Sequence, residues 1–583
     1  MDNGEKKISS LFDGRTIFNI PEYQRAYAWD EAQLSDFLED IENQKEDRSY
    51  FLGTVLFEEK GLEKNYEIID IVDGQQRLTT IIIFMYALIE YLKSNASGED
   101  EQEDIELLYE TYVKHKRYFK LRALDEDNDF FHSYILSTTD GKDYIRTPAQ
   151  RRLYNAKSYF EKYLSKKTKN DLDSLRKKID ENSRVLVYSV KDTAEATLIF
   201  ETTNDRGKGL TNLEKIKSFM MYKSYVASDD TPEQLLNTIR LRFSEIYKEY
   251  EKYEDKLDED SILQYHFIAH NEWTAKAFQK YVSNVKYHVN FLISKGKDVA
   301  TLEFIDQYTK ELKETFYTVH EILSSQNPYL RSIFILERTG NFWPLLIKVY
   351  KQDKTQSKEE FSTITRLLEI YSFRVYAVNQ SRGNTGQSKL YAYARDFSGD
   401  FRQLEVQLKE IVTEYSADKL FRSNLSDPYI YDWMNSRDLS YFFWQYENYL
   451  REYRQPKAAP MSESEFVAKS SKFRLSIEHI ASQTPLDSII KDKSIVPDIS
   501  EEFQEKFLHN LGNLTIDPQS SNSSKSNIDF SNKNEKYFKR APFKIQNELE
   551  DFVVKGSWGE VAIKKRNKAL IKFALKHWSV DRT

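Results

Sequence analysis

Two stretches of the chain bring together side chains able to do chemistry. The first, RLSIEHIASQ (474–483), ends a short apolar run on Glu478 and His479. Asn513, Asn522 and Asn527 follow within LHNLGNLTIDPQSSNSSKSN (508–527). Cutting a phosphodiester takes a base to activate water and a divalent ion to stabilise charge on the phosphate. A histidine ending a strand, an asparagine in mid-motif and an Asn or His on a following helix supply both compactly. On these residues alone a purely structural histidine is the competing reading. His509, beside the Asn513 loop, competes as the catalytic histidine. His266 and His270 are four apart but lack the glutamate of an HExxH pattern, and read as ordinary helix residues.

The second chemistry lies in three stretches of the first 210 residues: IPEYQRAYAW (20–29), DGQQRLTT (73–80) and FETTNDRGKGL (200–210). Each sets an arginine among Gln, Asn or Asp beside glycine or aromatics. Arg25, Arg77 and Arg206 offer planar forks of donors suited to phosphate oxygens. Gly74, Gly207 and Gly209 permit tight turns and close backbone approach. Asp73 or Asp205 could hold a divalent ion or orient an arginine. Gln24, Gln75 and Gln76 donate and accept, as recognition of a base or sugar requires. The alternative is a buried polar network that holds loops together. No GxxxxGK[ST] is present, so this is not a Walker-type phosphate loop.

These side chains need elements to position them. YEIIDIV before Asp73 reads as a strand, and the apolar pattern from Thr79 to about Leu92 as a helix. SYFLGTVLFEE is a second strand candidate, with Gly61 in the turn between them. DEAQLSDFLEDIENQ is an amphipathic helix with Asp30 or Asp36 as cap. RVLVYSV is a further strand, and the FETTNDRGKGL loop lies between two helices. The acidic segment 95–106 reads as an exposed loop, and helical patterns run from about 225 to 452. PKAAPMSESE reads as a linker, and a mixed domain closes the chain. The expected division is 1–225, 226–455 and 465–583, consistent with a length of 583 residues that exceeds one ordinary core.

Composition narrows the classes. The chain has no cysteine, which excludes disulfides, thiolate nucleophiles and cysteine-bound zinc. No basic region precedes an apolar stretch near residue 1, and no apolar run reaches membrane-spanning length. A cytoplasmic protein with no membrane partner is expected. Formal net charge is −8, yet residues 521–583 hold 14 Lys and Arg against 7 Asp and Glu. That local excess suits a phosphate backbone; a solvated basic face is the plainer reading.

The N-terminal stretches resemble the N-terminal domain of the GmrSD-type modification-dependent restriction proteins, a ParB/sulfiredoxin-like family with IPxYQRxYxW and DGQQRLTT signatures. The resemblance implies that Gln24 and Arg25 line a nucleotide or modification-sensing pocket. Asp73, Gly74, Gln75, Gln76 and Arg77 would form its centre, with Asn204, Asp205 and Arg206 close by. Residues from about 470 onward resemble the HNH-like endonuclease domain of the same family, through Glu478–His479, Leu511–Thr515, Asn522, Lys533, Arg566 and Trp578. Ser482 stands where that motif has proline. By this resemblance His479 is the general base, Asn513 orients the motif, and Asn522 lies near the metal on the helix side, with Asn527 its competitor. Glu478 is a metal ligand, and Lys533 acts at the scissile phosphate or on the backbone. Lys525, Lys536, Lys539, Arg540 and Arg566 would neutralise DNA phosphates.

The implied fold is α+β and multidomain: a ParB-like N-terminal domain, a long α-helical middle and a ββα-metal C-terminal nuclease. The implied protein is a nucleotide-regulated endonuclease using Mg²⁺ or Mn²⁺ and a nucleoside triphosphate. Its partner would be double-stranded, modified phage DNA, and a homodimer would serve double-strand cleavage. A non-nucleolytic, NTP-hydrolysing DNA-binding defence protein is the rival, and RNA as substrate a third reading.

Overall fold

A computed structural model describes residues 3–581 except 46–47, 97, 191–210, 229–231, 272–279, 455–458, 468–473, 482–500 and 526–529. Asn204, Asp205, Arg206, Gly207, Gly209, Ser482, Gln483 and Asn527 therefore lie outside the described residues. The chain forms two compact units, Met1–Phe267 with Trp273–Leu323 and Ile268–Glu272 with Ser324–Thr583. Helices of the 226–455 stretch occur in both.

The first unit is built on a mixed sheet. Its strands are β1 (Gly4–Lys7), β2 (Thr16–Asn19), β3 (Tyr50–Glu63), β4 (Tyr66–Asp73), β7 (Leu121–Arg122) and β8 (Ser183–Val190); β5 (Lys114–His115) and β6 (Tyr118–Phe119) form a separate small hairpin. The six-stranded order is β1-β8-β3-β4-β2-β7. β3 and β4 are antiparallel, whereas β3 with β8 and β2 with β4 run parallel. The apolar run of β4 lies inside the sheet with both faces covered, as a nearly continuous hydrophobic strand should. The Gln75–Asn95 helix follows and is buried on almost every side, because its sequence is apolar all round. Asp30 caps the Glu31–Glu42 helix, with Gln33 completing a reciprocal capping box.

Three expectations need correction. The turn between β3 and β4 is made by Lys64 and Asn65, both at positive φ, the conformation a two-residue hairpin demands. Gly61 lies inside β3, where the register slips between Glu59 and Gly61. Second, the helix begins at Gln75, not Thr79, so both glutamines and Arg77 form its first turn. Third, the acidic segment is helical from Glu99 to Tyr112. Glu99, Asp100 and Glu101 occupy its first turn, where carboxylates favour the positive end of the helix dipole, and Ile105, Leu108 and Tyr112 are buried.

The second unit is mostly helical around an antiparallel pair, β9 (Leu475–His479) and β10 (Leu514–Pro518). A short helix, Gln519–Lys525, follows β10 directly. The final Glu560–His577 helix packs against the Leu511–Asn513 turn. That approach explains Gly512: a Cβ there would run into the Ile563 carbonyl oxygen. Trp578 is fully buried, stacked on Phe373 at 4.0 Å, and donates to the Glu369 carboxylate at 2.7 Å. No helix among the described residues is long and apolar enough to cross a membrane.

Candidate active site

Alternation along β9 sends Ser476 and Glu478 to one face, opposite Asp517 and Thr515 of β10. Two helices cover this face. Lys533, from Phe530–Lys536, sits 2.7 Å from the Glu478 carboxylate and donates to the His479 carbonyl at 2.9 Å. Lys525 pairs with Asp517 at 2.9 Å, and Gln546 donates to the same carboxylate at 2.8 Å. All four charged side chains are buried. Burial raises the Glu478 pKa, and Lys533 opposes that rise. Asn522, on the Gln519–Lys525 helix, donates to Ser476 Oγ at 2.9 Å and to the Ile477 carbonyl at 3.1 Å.

His479 ends β9, paired with Leu514 and only 6% exposed. Tyr431 and His509 meet its ring edge-on at 4.5 and 5.3 Å. Burial, then the charges of His509 and Lys533, push its imidazole down to about 3. His479 is thus neutral at physiological pH and keeps a lone pair for a proton. The structure brings the two competing histidines together, with His509 stacked on Tyr431 at 5.4 Å. Nothing in the sequence pointed to Tyr431, some fifty residues before the motif.

Asn513 is fully buried, and its side chain serves the loop itself. Oδ1 accepts from Ala481 N at 2.9 Å and Trp558 Nε1 at 3.0 Å, while Nδ2 donates to the Leu508 carbonyl at 2.9 Å. Its carbonyl accepts from Ile480 N at 2.8 Å. Asn513 therefore clamps the two residues after His479. Arg566 holds the same turn by donating to the Gly512 and Leu514 carbonyls at 3.0 and 2.6 Å.

The expected DNA-facing cations divide. Lys536, Lys539 and Arg540 are exposed, with Lys539 paired to Glu535 and Glu550. Lys525, Lys533 and Arg566 are buried against Asp517, Glu478 and Glu548, so they do not present charge to a phosphate backbone. Sequence placed them outside because lysine and arginine are seldom buried; each is buried here because a carboxylate and carbonyls receive it. The donors also do not form a metal cradle. Glu478 is already matched by an ammonium, Asn522 is turned to Ser476 and Ile477, and among the described residues no three His, Asp or Glu side chains converge.

In the first unit Gly74 carries β4 into the helix at φ 95°, a conformation that glycine permits, with a would-be Cβ 2.8 Å from Val55 Cγ1. The glutamines stitch 20–29 to this turn. Gln24 Nε2 donates to the Val72 carbonyl at 2.6 Å, and Gln75 Nε2 to Gln24 Oε1 at 3.3 Å. Gln76 receives Ala28 N at 2.8 Å and donates to the Ala26 carbonyl at 3.0 Å. Arg77 donates to the Thr54 carbonyl at 3.1 Å and lies against Gly53. Arg25 approaches Glu259 at 3.8 Å. The cleft beside Gln24 and Arg25 has about 30 Å³ of free space, far less than a nucleotide fills. As folded, that cleft does not hold a nucleotide.

Two cations beside this network escaped the sequence reading. Lys217, on the Asn212–Val226 helix, is buried, donates to the Tyr23 carbonyl at 3.1 Å and lies near the Tyr23 and Tyr247 rings. Burial pushes its ammonium down to about 8. Arg240 lies over the Tyr23 ring at 4.5 Å and 3.5 Å from Glu58. The signal for Lys217 was its place among Leu213, Ile216, Met220 and Met221, on the buried stripe of its helix.

Comparison with protein families now bears on both units. The model of the N-terminal domain of the GmrSD restriction endonucleases matches residues 8–221, and that of their C-terminal domain matches residues 415–573. The chain belongs to the GmrSD restriction endonuclease family. No curated protein matches the chain. In this GmrSD family member the C-terminal match begins inside the helical stretch, so it includes Tyr431 as well as the β9–β10 pair. The N-terminal match includes every strand of the mixed sheet except β1, the glutamine network and Lys217.

Proposed function

We propose that the protein is a restriction-type DNA endonuclease of anti-phage defence that acts on modified DNA, with the β9–β10 pair and its following helix serving as an HNH-like centre. The observation that carries this reading is His479: a neutral imidazole at a strand end, with the next two residues clamped by Asn513. In the reaction His479 takes a proton from water, the oxygen attacks phosphorus, and one P–O ester bond breaks to leave a phosphate end and an alkoxide that takes a proton from solvent to become a hydroxyl end. A base held near 3 is weak. An anionic phosphate beside the ring favours the imidazolium and so strengthens the base as substrate arrives. Lys533 acts as a positioning residue, holding Glu478 and the His479 carbonyl together.

The first unit is the regulatory part of this proposal. Its site would take nucleotide phosphate at the first turn of the Gln75–Asn95 helix, where N–H groups lack helical partners. Because Gln24, Gln75 and Gln76 are bonded to one another and to the 26–28 and 72 backbone at this turn, binding there would open the glutamine network, and that opening is the regulatory step.

The test compares the protein with His479→Ala on unmodified plasmid and on phage DNAs of differing modification. Mg²⁺, Mn²⁺ or EDTA and each nucleoside triphosphate are varied. Cleavage confined to a modified DNA and lost in the variant is expected. NTP hydrolysis with no cleavage under any condition would favour the rival, a DNA-binding protein that acts by binding or nucleotide depletion.

A further inference from the structure

The second unit carries an aromatic groove that the hydrolytic reading does not use. The Ser436–Arg454 helix presents Tyr446, Tyr449 and Tyr453 at positions i, i+3 and i+7, one face of a helix. Their rings form a ladder: Tyr446 and Tyr449 lie 6.0 Å apart with planes 21° apart, Tyr449 and Tyr453 6.1 Å apart with planes 11° apart. The ladder runs from the core outward, Tyr446 being 4% exposed and Tyr453 75%. On the facing helix, Phe573 touches Tyr449 at 5.0 Å, and His577 stacks on Phe573 at 5.0 Å. The groove between the helices measures about 640 Å³.

Charge completes the surface. Lys565, Lys568, Lys572 and Lys576 are exposed along one stripe of the Glu560–His577 helix, and Lys572 and Lys576 line the groove. Among the described residues none of the four is in an ion pair, although Glu452 also stands at the groove wall. Unpaired lysines are poor material for the centre of a protein–protein contact, which is depleted in lysine. They suit a chain that alternates anionic phosphates with flat apolar faces. A duplex hides its base faces in its own stack and would leave the tyrosine ladder without a role. An unpaired strand offers both.

We propose that this groove binds an unpaired DNA strand, with Lys572 and Lys576 on its phosphates and Tyr453 and Tyr449 stacked on its bases. The inference goes beyond the hydrolytic reading and stands apart from it, since a protein that binds without cutting would use the same groove. Full-length protein in EDTA is titrated into labelled oligothymidylate and into a duplex of equal length, with anisotropy read at low and moderate salt. The wild type binds the single strand more tightly. Tyr453→Ala weakens that binding roughly 5- to 150-fold, the range for one lost base stack, and Tyr453→Phe retains it. Lys572→Glu with Lys576→Glu weakens it and flattens its salt dependence. Thermal melting of each variant checks that the fold persists, as the exposure of these side chains implies. A preference for duplex, no single-strand binding, or lysine loss without tyrosine loss would overturn the proposal; the last would leave only an electrostatic patch. Loss of cleavage does not enter this readout, so failure of the nuclease reading is scored separately.

Discussion

Each unit buries a polar cluster, and the two are balanced differently. Beneath the β9–β10 pair every buried charge meets an opposite one: Glu478 with Lys533, Asp517 with Lys525, Glu548 with Arg566. In the first unit Arg240 pairs with Glu58 and Arg25 approaches Glu259, but Lys217 donates to a carbonyl and lies against two aromatic rings, in no ion pair among the described residues. Matched charges hold a shape and leave little field for a ligand. A buried ammonium held by a carbonyl and rings alone costs stability and favours an anion. Under the proposed function the C-terminal cluster positions His479, and the N-terminal cluster is the one that would receive phosphate.

The comparison breaks most sharply at Glu478 and Lys533. Removing either partner alone, as Glu478→Gln or Lys533→Met, strands a buried charge and should cost about 3–5 kcal/mol in chemical denaturation. The combined Glu478→Gln, Lys533→Met protein should recover much of that loss. If the double variant is as unstable as the sum of the singles, Glu478 and Lys533 are not a balanced unit.

Acid is the next lever. His479 has a folded pKa of about 3 against an ordinary value of 6.5, so between these the unfolded chain binds the extra proton. Its contribution to stability is therefore present above pH 6.5 and is lost as pH falls toward 3, by roughly 1.4 kcal/mol per pH unit. His479→Gln should flatten that part of the stability–pH curve for the second unit. An unchanged slope would show that the ring is not held neutral by burial.

The smallest effect should carry the opposite sign. Lys217→Met removes a poorly matched buried ammonium and should stabilise the first unit by about 1–3 kcal/mol. The same change should abolish any response to nucleotide. Destabilisation, or a nucleotide response kept intact, would place Lys217 with the matched charges and erase the difference between the clusters.

Much of the framework was legible because local pattern and final environment agree. The run before Asp73 is a strand, Asp30 is a cap, and Glu478–His479 ends a strand, each from short-range periodicity or cap chemistry. The errors came where a residue has two physical uses. Gln75, Gln76 and Arg77 looked like a polar loop, yet their side chains reach back to carbonyls of 26 and 54 and to Gln24 while their backbone is already helical. The acids of 99–106 looked solvated, but a helix N-terminus stabilises them. Lys525, Lys533 and Arg566 counted as surface charge because composition records sign and not partner.

The sequence by itself determined the family, the order of its two matched domains and the residue types at both centres, since motifs, periodicity and caps are local properties of the chain. Only the tertiary structure decided which cations are buried, that His479 is neutral between Tyr431 and His509, that Asn513 is a clamp, and that a tyrosine ladder faces a lysine stripe. Those facts depend on desolvation and on pairings between residues far apart in sequence, which no local pattern encodes.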